Sequence, residues 1–162
     1  MNVKILSFLR RRPPSDPPMG YSDPCQLIDE TGETIERVDG RSTPDGFRLS
    51  DHKPWDACFG CAAPGIYDAI YTWDNSKKPR LCFVINGGKE IPAVLPNANH
   101  EYRCVVSSAE VHAGYAEDNP ATPLNEDNPG STACCTIKKT QWPKITCHFR
   151  IGEKLKVEIK TL

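Results

Sequence analysis

Cys58 and Cys61 form a Cys-x-x-Cys pair, the spacing that proteins use for thiol–disulfide exchange. That reaction needs a thiolate, which is stabilised where a helix begins directly after a buried strand. Here the residues that follow Cys61 are Ala-Ala-Pro-Gly, and proline and glycine end a helix early. A thiol–disulfide oxidoreductase that uses this pair is therefore kept as an alternative function and is not the one we expect.

The chain contains an even number of cysteines, and they are scattered along it and not grouped in ligand pairs. They are Cys25, Cys58, Cys61, Cys82, Cys104, Cys134, Cys135 and Cys147. Scattered cysteines are typical of a structural disulfide framework, in which cross-links restrain the unfolded chain. The pairing stays open at this point, because eight cysteines can be joined in many ways. This cysteine content favours an oxidising compartment, so we expect a secreted, extracellular protein.

Zinc binding is the second alternative for these cysteines. A structural zinc ion needs four ligands, usually from two close pairs. Cys134 and Cys135 are adjacent, which suits one tetrahedral ion poorly, and Cys147 and His148 point to opposite faces of a strand. An intracellular zinc-binding protein is therefore kept only as an alternative. We assign no catalytic residue, no cofactor and no metal ligand, and we expect the protein not to be an enzyme.

The elements that hold these cysteines are predicted to be strands. The 15 prolines and 11 glycines indicate a turn-rich fold, and no segment keeps a helical period for three turns. Segments with strand character are 3–9, 25–29, 34–38, 66–73, 80–85 and 102–106. We therefore predict an all-β fold, a single disulfide-stabilised domain over residues 1–162. Its architecture is an antiparallel barrel or sandwich of about nine to eleven short strands.

Three hairpins are predicted from local patterns. The segments 25–29 and 34–38 flank the turn Glu-Thr-Gly-Glu, in which Gly32 is available for a positive φ angle. Residues 144–161 alternate apolar and polar side chains on both sides of Gly152-Glu153, which indicates a C-terminal hairpin with Cys147 on its core face. Asn86-Gly87 directly after a buried strand is a strong signal for a two-residue hairpin turn.

Two loops are candidates for contact with a partner. The segment 10–24 is rich in proline, and the segment 115–130 is acidic and contains Glu-Asp-Asn-Pro twice. Binding residues concentrate on loops held by a rigid scaffold. Tyr21 and Tyr115 are the aromatic anchors that we expect to make partner contacts, unless they pack against the barrel.

Charge and hydropathy exclude several classes of partner. The net charge is −1, and the basic residues are concentrated in 1–12 and 138–162. These segments lack the interleaved aromatic residues of a single-stranded nucleic-acid platform, so we expect no nucleic-acid partner. No apolar run approaches the roughly 18 residues that a membrane span needs. The apolar stretch at 5–9 is too short for a signal-peptide core, so we expect the secretory leader to be absent from this sequence.

Three segments resemble one known family. They are KILSFLRRRPP (4–14), LSDHKPWDACFG (49–60) and IPAVLPN (91–97), the last followed by Cys104. In this order they are similar to segments of the major Alternaria allergen family. The resemblance implies a secreted fungal β-barrel that is stabilised by disulfides and has no established catalysis. It further implies that Cys58 and Cys104 occupy family disulfide positions. Residues 115–162 look like an addition to the family, and five cysteines have no clear counterpart in it: Cys25, Cys61, Cys134, Cys135 and Cys147.

These observations together predict a secreted, non-enzymatic binding protein. We expect a fungal effector or elicitor that contributes to virulence by contacting a host protein, and a small apolar ligand is a second kind of partner. The oligomeric state and the identity of the host target stay open.

Overall fold

The computed structural model describes residues 2–10, 21, 23–42, 61–94, 103–114 and 135–161. These residues form eleven strands and one short helix, α1 (Trp142–Thr146). The strands are β1 (Lys4–Arg10), β2 (Asp23–Ile28), β3 (Thr34–Arg41), β4 (Cys61–Ala62), β5 (Gly65–Trp73), β6 (Leu81–Ile85), β7 (Ile91–Val94), β8 (Arg103–Val106), β9 (Glu110–Ala113), β10 (Cys135–Ile137) and β11 (Lys154–Thr161). The predicted all-β class and the predicted number of strands are confirmed.

Eight of these strands close into a barrel in the order β1-β11-β5-β6-β9-β10-β3-β2. Most neighbours are antiparallel, but β1 runs parallel to β11 and β9 runs parallel to β10. The barrel is therefore mixed and not purely antiparallel as the sequence suggested. The remaining strands form a separate sheet in the order β4-β7-β8. Among the described residues, no helix is long and apolar enough to cross a lipid bilayer.

The core of the barrel is made by side chains that alternate along each strand. In β11 the residues Leu155, Val157 and Ile159 are buried, while the residues between them point away from the core. The ring of Phe83 lies 5.0 Å from that of Tyr71 and 4.9 Å from that of Phe149, centroid to centroid. These aromatic contacts fill the space next to the aliphatic part of the core.

The predicted C-terminal hairpin over 144–161 is only half right. Its second strand is β11, but the first half contains helix α1, and Cys147 lies in the turn that follows it. Pro143 stands in the first turn of α1, where its fixed φ favours the helix. Ile145 and Phe149 are both buried and lie four residues apart, which suits a helical turn as well as a strand. The prediction that Cys147 faces the core is wrong, because its side chain is exposed.

The predicted Asn86-Gly87 turn forms, but it does not close a hairpin with the preceding strand. Asn86 and Gly87 have φ angles of 52° and 62°, as a tight turn with this sequence requires. The strand that follows, β7, pairs with β4 and β8 and not with β6. The turn therefore directs the chain out of the barrel and into the second sheet.

Several of the residues predicted to be functional lie outside the described residues. They are Cys58, Cys134 and Tyr115, with the whole acidic loop 115–130 and most of the proline-rich loop 10–24. Cys61 lies in β4 and Cys104 lies in β8. Because Cys61 begins a strand, the described part of the Cys-x-x-Cys segment does not lead into the helix that a thioredoxin-like site uses.

Candidate functional site

A cleft of about 410 Å³ lies on the outer face of the barrel, across β5, β6 and β9. Its floor contains the residues that alternate with the core positions of these strands. Ile70 of β5 pairs with Val84 of β6, and Val84 pairs with Glu110 of β9, so these three residues form one row. The full lining is Ile70, Thr72, Trp73, Asp74, Asn75, Val84, Gly87, Gly88, Ser108 and Glu110.

Two short connections form the rim of this cleft. On one side the chain leaves β5 through Trp73, whose side chain is 56% exposed. On the other side the turn after β6 is tied to the loop before β9, because the Ser108 amide donates a 2.9 Å hydrogen bond to the Gly88 carbonyl. Gly87 and Gly88 both have positive φ angles, which glycine adopts without strain. The rim is thus fixed by backbone hydrogen bonds on the side opposite Trp73.

Two carboxylates and one guanidinium form a cluster at the buried side of the cleft. Arg80 Nε lies 2.8 Å from Glu110 Oε1 and 3.3 Å from Asp74 Oδ2, and Arg80 Nη2 also donates to Glu110 Oε1. Asp74 is held in place by its own loop, since its Oδ1 accepts from the Ser76 hydroxyl at 2.7 Å and from the Arg80 amide at 3.1 Å. We call Asp74, Arg80 and Glu110 the carboxylate–arginine cluster.

The surroundings of the two carboxylates move their pKa values in opposite directions. Burial raises the pKa of Glu110; the charge and hydrogen bond of Arg80 only partly oppose this, and nearby Asp74 raises it further. Burial also acts to raise the pKa of Asp74, but hydrogen bonds from Ser76 and Arg80 outweigh it, and the pKa is lowered. Asp74 is therefore the stronger acid, and Glu110 is the member of the pair that takes up a proton more readily.

Cys82 lies beside the carboxylate–arginine cluster as a buried, neutral thiol. Its side chain is buried, and both burial and the neighbouring Glu110 raise the pKa of the thiol far above its ordinary range. A thiol that resists ionisation is a poor nucleophile and a poor metal ligand. Cys82 therefore contributes packing and a hydrogen bond with Glu110 to the site, and not covalent chemistry.

The ligand atoms of Asp74, Cys82 and Glu110 lie within 4.8 Å of one another, which is close enough to surround a metal ion. Arg80 already contacts both carboxylates and supplies them with positive charge. A metal would also have to ionise a buried thiol whose pKa is raised far above its ordinary range. The chemistry of the donor set therefore does not fit a resident metal.

Two carboxyl groups with separated pKa values also suggest acid–base catalysis. In glycoside hydrolysis the two groups stand at least about 5 Å apart, to leave room for the sugar or for a water molecule. Asp74 and Glu110 approach more closely than this and are bridged by Arg80. The cluster is thus arranged to hold a fixed charge distribution at the cleft and not to act on a bond between its carboxyl groups.

The structure separates the cysteines that the sequence treated as one set. Cys25, Cys82 and Cys147 are thiols without a disulfide bond, the first two buried and the third exposed. Cys135 is buried as well, and its charge adds to burial in raising the pKa of Cys25. The disulfide framework predicted for all eight cysteines is therefore not seen at Cys25, Cys82 and Cys147, and the pairing of the remaining cysteines stays a prediction.

Tyr21 is half-buried and not a freely exposed anchor. The guanidinium carbon of Arg41 lies 5.8 Å from the centroid of its ring, within the range of a cation–π contact. A Cβ atom at Gly114 would collide with the Tyr21 hydroxyl, so glycine is required for this close approach. Tyr21 thus packs against the barrel, which was the alternative to a partner contact in the sequence analysis.

The residues of the cleft were not singled out in the sequence. The sequence places Trp73 only at the end of the predicted strand 66–73, and it predicts no role for Asp74, Arg80 or Glu110. Asp74 and Glu110 are far apart in the chain, and their contact depends on β9 pairing with β6. A buried Glu at the start of a strand gives no local signal that distinguishes it from a solvent-exposed one.

Comparisons with known proteins found no match for this chain, neither to a protein-family model nor to a curated protein. The functional interpretation therefore depends on the geometry of the site.

Proposed function

We propose that this chain is a secreted, non-enzymatic binding protein, a fungal effector or elicitor that contacts a host protein through the rim of the cleft. The observation that carries this proposal is Trp73, a large aromatic residue that is 56% exposed and belongs to the lining of a preformed cavity. Tryptophan is strongly enriched among the residues that dominate protein–protein binding energies. A preformed cavity beside it lowers the cost of ordering the site when a partner binds.

A second exposed apolar side chain supports this surface. Ile151 is 61% exposed, and the turn that carries it is held against β5, because the Gly152 amide donates a 2.7 Å hydrogen bond to the Tyr71 carbonyl. Tyr71 is two residues before Trp73, so both exposed side chains lie near the same end of β5. Exposed apolar side chains on neighbouring segments are a feature of interaction surfaces.

The chemistry of the cleft supports binding over catalysis. Cys82 is a neutral thiol, and Arg80 bridges the two carboxylates that could otherwise act as acid and base. Trp73 takes the role of aromatic anchor that the sequence analysis gave to Tyr21.

A selection with a phage-displayed library of random dodecapeptides tests this proposal. Wild-type protein is the bait, and the dissociation constants of enriched synthetic peptides are measured for Trp73→Ala and for Ile66→Ala. Ile66 is the matched control, because it is also on β5 and 57% exposed but lies outside the cleft lining. We expect Trp73→Ala to weaken peptide binding about 30-fold, as loss of about 2 kcal/mol implies. Ile66→Ala should change it less than about twofold.

Two results would count against the proposal. If the selected peptides bind Trp73→Ala as tightly as wild type, the cleft rim is not the contact surface. A selection that enriches no peptide would argue against a protein partner at this surface.

A further inference from the structure

The cleft combines an apolar floor with a carboxylate at its buried side. Ile70 and Val84 stand next to each other in the floor, and Glu110 follows Val84 across the strands. Trp73 borders the same space. The row therefore places apolar surface in the floor of the cleft, directly beside a carboxylate.

The charges of the carboxylate–arginine cluster do not cancel. Above the raised pKa of Glu110 both carboxyl groups are ionised and carry two negative charges, whereas Arg80 supplies one positive charge, so one negative charge remains. The Asp74 and Glu110 side chains are only 8% and 9% exposed, so solvent compensates this charge poorly. A cation that enters the cleft would supply the missing charge without displacing Arg80.

We propose that the cleft binds the side chain of a lysine residue of the partner protein. An alkyl stem matches the apolar floor, and an ammonium group matches the excess negative charge. An anion would face the same excess negative charge, because Arg80 is already bound to carboxylates. This inference rests on the proposed function and names the group that the cleft recognises.

Three small probes separate the charge from the stem. Nα-acetyl-lysine amide carries the side chain with its charge, Nα,Nε-diacetyl-lysine amide keeps the stem without the charge, and n-butylammonium is a free amine. Each is titrated into isotopically labelled wild-type protein, and the amide signals of Trp73, Gly87, Gly88 and Ser108 are followed by NMR. We expect the lysine derivative to bind at least tenfold more tightly than its acetylated form. Weaker binding by n-butylammonium would show that the lysine backbone also contributes, whereas equal binding would show that the alkylammonium group alone is recognised.

A matched pair of variants tests the role of the buried carboxylate. Glu110→Gln removes its charge and keeps its shape, and we expect it to weaken binding of the lysine derivative about tenfold. Glu158→Gln is the control, because Glu158 lies in β11, outside the cleft lining. It should leave the affinity unchanged. The wild-type comparison of charged and acetylated probes does not depend on the folding of either variant.

Equal affinity for the charged and acetylated probes would overturn this inference, and so would loss of binding in Glu158→Gln to the same extent as in Glu110→Gln. The proposed function fails separately. Selected peptides that depend on Trp73 but show no preference for lysine would leave the proposed function in place and remove only the lysine site.

Discussion

His112 makes the stability of the barrel depend on pH in a way that can be isolated. Its side chain is only 2% exposed, and its Nδ1 lies 2.7 Å from the carbonyl oxygen of Ala113. Because a carbonyl oxygen only accepts hydrogen bonds, Nδ1 carries the proton of the neutral ring. Burial lowers the pKa of His112 from 6.5 to about 4, and the positive charge of Arg80 adds to this effect. The folded protein therefore holds His112 neutral over a range in which the unfolded chain protonates it.

The sign and size of the effect follow from this difference. Between pH 6.5 and about pH 4 the unfolded state binds a proton at His112 that the folded state does not bind. The contribution of His112 to the free energy of unfolding is thus fully present above pH 6.5 and is lost as the pH falls. Each pKa unit corresponds to about 1.4 kcal/mol, so the loss on going to pH 4 is about 3 kcal/mol.

Urea unfolding at pH 7.5 and pH 4.0 measures this loss. The carboxylate–arginine cluster titrates too, and with mixed signs: the lowered pKa of Asp74 weakens the fold as pH falls, and the raised pKa of Glu110 strengthens it. We therefore compare how much the free energy of unfolding changes between the two pH values in His112→Asn and in wild type. Asparagine places an amide nitrogen near the position of Nδ1 and cannot be protonated in this range.

We expect the drop in stability between the two pH values to be about 3 kcal/mol smaller in His112→Asn than in wild type. His148→Asn is the control, since it replaces another histidine in the segment after α1, outside the strands that carry His112. An equal drop in His112→Asn and wild type would refute the reasoning, and so would a reduction in His148→Asn of the same size.

Two further results are expected. A Cβ atom at Gly40 would lie 2.7 Å from Phe8 Cε1, so Gly40→Ala should lower the free energy of unfolding by about 1–3 kcal/mol. Gly65→Ala is the control, because a Cβ atom there would lie 3.4 Å from its nearest neighbour, the Tyr67 hydroxyl. Equal loss of unfolding free energy in the two variants, measured in urea, would contradict this explanation. The exposed thiol of Cys147 should react with Ellman's reagent in the native protein, whereas the buried Cys25 should not. The fast phase of the Ellman reaction should report one thiol fewer per chain in Cys147→Ser and the same number of thiols in Cys25→Ser. A fast phase that is unchanged in Cys147→Ser would show that this thiol is not free.

The sequence was enough to predict those strands in which apolar and polar residues alternate regularly. The hairpin of β2 and β3 and the strand β11 follow from the period of two and from a glycine in the turn, and Gly32 has the expected positive φ of 92°. The same pattern failed in helix α1. There the spacing of buried residues fitted both a strand and a helical turn, and contact of Trp142 with Phe83 at 5.5 Å favours the helix.

The parallel pairs could not be predicted from the sequence. β1 and β11 are at opposite ends of the chain, and nothing in either strand specifies its neighbour. Their pairing brings the basic segments at the two chain ends together, and two of their lysines are paired with carboxylates. Lys4 Nζ lies 2.8 Å from Glu153, and Lys156 Nζ lies 2.7 Å from Asp68. Ion pairs of this kind reduce the positive potential that a polyanion would need.

The cleft depends on the same long-range choices of strand partner. Alternation along β9 shows that Glu110 points away from the core side chain of Val111, but it does not show what lies beside it. Only the register of β9 against β6 places Glu110 next to Val84, and only the loop from Asp74 to Arg80 brings a guanidinium to it. The charge excess from which we infer lysine recognition is therefore a property of strand order and not of any motif. A search for the same site in other chains should accordingly begin from the paired strands and the buried carboxylate, because sequence spacing alone would not find them.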